Sequence, residues 1–154
     1  MTPSSMTRLA RRTLNLIAML ALAGAIVSSV SLYHHYGKSE TTYCDFGESF
    51  NCDIVNRSVY SSVLGVPVAL IGIVGYLGLM TMATWYRSRT ETPAVLTVAS
   101  LAGLLFALYL TYIEGFVLAA WCVLCLSSLG LIFCIVVSSS VLWISTTRGQ
   151  GSES

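Results

Sequence analysis

The chain has 154 residues, 55% of them hydrophobic and only 10% charged, with a mean hydropathy of +0.77. An ordinary soluble domain carries about 25% charged residues, so eight Lys or Arg and seven Asp or Glu cannot coat a globule. A soluble enzyme, a disordered chain and a secreted disulfide scaffold are excluded. A net charge of +1 offers no basic surface for nucleic acid, and residues 1–154 leave room for only one domain.

The charges cluster, and between them lie four uncharged runs, 13–37, 58–86, 92–113 and 115–147. Each exceeds the ~20 residues a helix needs to cross a hydrocarbon core. The runs are continuously apolar and lack the alternation of a barrel strand. The expected fold is therefore an all-α membrane protein, a four-transmembrane-helix bundle. Its helices are predicted at about 13–33, 66–86, 93–112 and 116–143, with a long outward loop, 34–65, between the first two. Residues 58–64 read as a short amphipathic cap, with Val59, Val63 and Leu64 able to turn inward and Ser58 as its N-cap. Gly72 and Gly75 share one face of the second predicted helix, as expected for close helix packing. Glu114, beside Gly115, reads as the turn into the last helix, and His34 and His35 as boundary residues.

Arg8, Arg11, Arg12, Arg87, Arg89 and Arg148 fall at one set of helix ends. By the positive-inside rule that side is cytoplasmic and holds both termini. A cleaved signal peptide at the N-terminus is the alternative, but the run continues to Gly37 and its removal would separate the arginine clusters.

Of five cysteines, Cys44 and Cys52 fall in the outward loop, and Cys122 and Cys125 form a CxxC near the outer end of the last predicted helix. Four thiols thus converge on the side where thiols oxidise. Taken alone, Cys44 and Cys52 fit a structural disulfide. The CxxC reads as redox-active, because a disulfide across one helical turn is strained and exchangeable. If its helix starts near Gly115, the pair lies beneath the membrane surface; a start near Ala119 instead favours pKa lowering by the helix dipole. A structural zinc site is disfavoured by the C-x7-C loop spacing, and no metal is expected. A non-enzymatic membrane protein binding a soft metal remains a different class. Cys134 reads as core filler.

In order, Cys44-x7-Cys52, Ser58-Val-Tyr60, Gly65-Val66-Pro67, Gly72-Ile-Val-Gly75-Tyr76 and Trp121-Cys122-Val-Leu-Cys125 resemble the vitamin K epoxide reductase (VKOR) family in its bacterial form. The resemblance implies a quinone pocket, for ubiquinone, menaquinone or a vitamin K type, opening near the outer surface. It also implies that Cys44 takes electrons from a thioredoxin-like (DsbA-like) partner, that Cys52 passes them to Cys122, and that Cys125 faces the quinone. Ser58, Val68, Trp121 and Leu129 become the implied quinone contacts. Val68 and Leu129 stand where relatives carry Asn or Tyr, which argues against the alternative of vitamin K epoxide as substrate. Because the chain ends at Ser154, the redox partner is expected to be a separate protein. The implied location is a bacterial inner membrane, or the endoplasmic reticulum in a eukaryote.

Overall fold

The computed structural model describes residues 3–37 and 50–150. In chain order these form α1 (Pro3–Tyr36), α2 (Cys52–Asn56), a 3-10 turn (Val59–Ser61), a hairpin of β1 (Ser62–Val63) and β2 (Val66–Pro67), α3 (Val68–Thr84), α4 (Thr92–Ile113), a π-helical turn (Glu114–Leu118) and α5 (Val123–Gln150).

Residue pairs across the helices set their directions. Asn15 meets Arg87, Gly24 meets Tyr76 and Ser28 meets Gly72, so α1 and α3 run antiparallel. Ser100 meets Ser139 and Gly103 meets Ile132, so α4 and α5 do too. The core fills with Ile17, Ala21, Leu79, Leu96 and Ile135. Gly24 is required there, since a Cβ would lie 2.3 Å from the Tyr76 ring. That ring's hydroxyl reaches α5, donating to Ser128 O at 2.9 Å. Ser100 and Ser139, both fully buried, place their hydroxyls 3.3 Å apart, a polar link of the kind that joins helices where no water competes.

Among the described residues, three helical stretches are long and apolar enough to cross a membrane: Arg8–Tyr36, Thr92–Leu118 and Val123–Gly149. The expected four-transmembrane-helix bundle is corrected to three such helices. The second predicted helix, 66–86, shortens to α3, with 17 residues. Val66 and Pro67 pair with Val63 and Ser62 in the hairpin, and the helix ends at Thr84, before Trp85 and Tyr86.

Two further expectations change. The last helix, expected at 116–143, starts at Val123 and runs to Gln150. The cause is local: α4 continues into the π-helical turn, and Ala119 then adopts a left-handed conformation with φ 49°, which a non-glycine residue cannot propagate. The cap at 58–64 is not a helix but a 3-10 turn and hairpin, with Val59, Val63 and Leu64 exposed. Leu64 and Gly65 carry positive φ, as a tight two-residue hairpin loop demands. Ser58 does not cap through its side chain; its hydroxyl donates back to Val55 O at 2.8 Å.

Candidate functional site

The site gathers at the C-terminal end of α1, where α2 and the start of α5 meet. Asn51 caps α2, its Oδ1 accepting the Ile54 N–H at 3.0 Å, an N3 contact typical of an asparagine cap. That cap places Cys52 in the first turn of α2. The strand-like bridge Phe50–Trp121 and the bond from Asn51 N–H to Trp121 O, 3.2 Å, tie this segment to the residues just before α5. Cys122 follows directly. Its carbonyl accepts the Leu126 N–H at 3.0 Å, the first bond of α5, so Cys122 is the N-cap and Cys125 lies in the first turn.

These two anchors bring together cysteines seventy positions apart in the chain: Cys122 Sγ lies 3.4 Å from Cys52 Sγ. Both are fully buried, in a small cluster with Val55 and Ala120. Cys52 carries a disulfide, whereas Cys122 and Cys125 are free thiols. Cys44 lies outside the described residues. The neighbouring Cys125 thiol stabilises the Cys122 thiolate and holds that thiol below its ordinary pKa, although burial acts the other way. Of the two positions weighed for this helix start, the observed one lies later than both and sets the CxxC at the positive end of the α5 dipole.

Behind the cysteines opens a cavity of about 450 Å³, within the size range of small-molecule sites. Its wall is mostly apolar, built by α1, α3, α4 and α5, with Gly75 and Gly78 leaving open space along α3. Cys125 lies on this wall; Cys52 and Cys122 do not. One cysteine of the CxxC therefore faces the cavity while the other faces Cys52.

Of the four implied quinone contacts, Ser58 and Val68 lie on the wall, and Trp121 and Leu129 do not. Trp121 packs over Gly115 instead, where a Cβ would come within 3.0 Å of its ring. Cys134, expected in the core, is exposed on α5.

Glu114 and His35, read from sequence as turn and boundary residues, belong to the site, as does Asn56, which the sequence does not single out. Glu114 is only 2% exposed; its Oε2 accepts the Cys122 N–H at 3.2 Å, and its Oε1 has no hydrogen-bond partner. His35 donates from Nδ1 to Asn56 O at 2.5 Å. Asn56, at the end of α2, accepts the Ser31 hydroxyl on Oδ1 at 2.8 Å, and its Nδ2 is buried with no partner. An acid at a predicted helix end and an asparagine a few residues after a cysteine carry no sequence signal of these roles.

An apolar cavity with a thiol, an unspent amide donor and a carboxyl group on its wall fits a flat apolar ring bearing carbonyl oxygens, which is the chemistry of a quinone. The model of the vitamin K epoxide reductase family matches residues 15–140, most of the chain and the whole of this site; the chain belongs to that family and is a multi-pass membrane oxidoreductase.

Proposed function

We propose that this protein carries electrons from a thioredoxin-like partner through Cys44 and Cys52, then through Cys122 and Cys125, to a quinone, and so supports disulfide formation. The observation that carries the reading is the 3.4 Å approach of Cys122 Sγ to Cys52 Sγ with Cys125 on the cavity wall.

In the productive direction the Cys52 thiolate attacks Cys122 Sγ of a Cys122–Cys125 disulfide. The Cys52–Cys122 bond forms and Cys125 leaves as a thiolate on the cavity side. Cys44 then attacks Cys52, closing the loop disulfide and releasing Cys122. Two electrons have moved from the loop to the helix pair, and each step exchanges one thiolate for another. The arrangement seen, with Cys52 in a disulfide and the CxxC reduced, matches the state that follows this transfer. A quinone in the cavity supplies a two-electron, two-proton acceptor. Cys125, on the wall, presents the reducing sulfur, and Ser58 and Val68 help shape the pocket around it. The lowered pKa of Cys122 keeps it competent as the leaving group in the second exchange, when Cys44 attacks Cys52, and as a thiolate when the CxxC closes again.

The same reading places the site on the extracytoplasmic side of a bacterial inner membrane. Arg87 and Arg89 follow α3 at the end of the molecule away from the cysteines, as do Arg8, Arg11 and Arg12 on α1 and Arg148 on α5.

Purified protein given a reduced thioredoxin-like donor and menadione tests the relay. Serine at Cys44, Cys52, Cys122 or Cys125 is expected to abolish quinone reduction, and Cys134→Ser to leave it intact. Cys125→Ser should also accumulate the Cys52–Cys122 disulfide, seen by non-reducing peptide mapping. Full turnover in Cys122→Ser would sink the proposal.

A further inference from the structure

We propose that the side-chain amide of Asn56 donates a hydrogen bond to a quinone carbonyl, making it the polar anchor of the cavity. The inference deepens the reading of the cavity as a quinone pocket and rests on it.

A quinone carbonyl can accept a hydrogen bond and cannot give one, so the pocket has to supply a donor. Several of the polar hydrogens on the wall are already committed. Ser31 donates to Asn56 Oδ1, Ser58 to Val55 O, Ser61 to Ser58 O at 2.7 Å and Tyr76 to Ser128 O. His35 uses Nδ1 on Asn56 O. Asn56 differs. The residue lines the cavity and is 6% exposed, and its Nδ2 is buried without any partner. Buried amide donors are almost always paired, so an unpaired one on a cavity wall marks a place where a ligand completes the bonding.

The surroundings hold the amide ready. Ser31 fixes Oδ1, which leaves Nδ2 as the free end, and His35 holds the Asn56 backbone. Asn56 is also the last residue of the five-residue helix that begins with Cys52. The exchanging sulfur and the carbonyl donor therefore sit at opposite ends of one short rigid element, one outside the cavity and one on its wall.

The test uses the full chain in lipid nanodiscs, with menadione and ubiquinone-1 as separate probes. Affinity is read by quenching of intrinsic fluorescence, and the bound carbonyl stretch by difference infrared spectroscopy. In the wild type the stretch is expected below its value in hydrocarbon solvent. Asn56→Leu and Asn56→Asp should both raise Kd about three- to tenfold, the equivalent of one neutral hydrogen bond, and move the stretch back toward the solvent value. Asn56→Asp keeps an acceptor for Ser31, so a loss there does not come from broken packing. Trapping of the Cys52–Cys122 disulfide in the same variants reports whether α2 is still in place. Unchanged Kd and an unshifted carbonyl band, with the wild type binding quinone, overturn the role of Asn56 alone. Absence of binding to either probe in the wild type brings down the pocket reading and this inference together.

Discussion

Single side chains decide how this site responds to pH and to substitution. The Cys122 thiol is held below its ordinary pKa chiefly by Cys125. A lowered pKa supplies thiolate at lower pH, so exchange with Cys52 should rise with pH and level off earlier than for an unperturbed thiol. Cys125→Ala removes the largest cause and should move that midpoint upward, as read from the pH dependence of Cys52–Cys122 trapping. Glu114 gives a prediction of a different kind. Glu114→Ala strips the acceptor from the buried Cys122 N–H and should cost about 1–3 kcal/mol of stability. Glu114→Gln keeps a carbonyl oxygen for that bond and should unfold close to the wild type in a thermal melt. The cysteines were legible in the sequence because spacing and charge placement converge on them. Glu114 and Asn56 were not, since an orphaned polar atom exists only once the chain has folded around it.

Elements show where apolar pattern stops being informative. The run after Glu114 is uncharged throughout, and nothing in its hydropathy separates the π-helical turn from α5. The break at Ala119 is a backbone event, and it moved the predicted helix start by seven positions, to Val123. The same blindness hid the hairpin, because Val66 and Pro67 read equally well as the start of a helix. Packing between elements is more transparent. Gly24 faces the Tyr76 ring with no room for a methyl group, so Gly24→Ala should destabilise the α1–α3 contact by about 1–3 kcal/mol, the usual range for overpacking. Gly78 has open space beside it, and Gly78→Ala should melt at or above the wild-type temperature, since alanine favours a helix interior over glycine. Comparing the two melts separates a steric requirement from mere small-residue composition.

For the molecule as a whole, orientation is the property most open to direct test. Leu64, fully exposed at the hairpin tip, and Ser88, between α3 and α4, mark opposite ends. Leu64→Cys should label with a membrane-impermeant maleimide on intact cells, and Ser88→Cys only after permeabilisation; the reverse pattern would put the site on the cytoplasmic face. The shortness of α3 has a consequence for the lipid itself. Seventeen residues cover about 25 Å at ~1.5 Å per residue, against a hydrocarbon thickness of about 30 Å. The protein's apolar girdle is thus uneven, low on one flank and tall on the others. Where α3 meets lipid, its apolar surface falls short of the hydrocarbon thickness, and each ångström of mismatch carries a modest cost. In reconstituted vesicles the enzyme should therefore be more stable with shorter acyl chains than with longer ones, making membrane thickness a variable to which this fold is tuned.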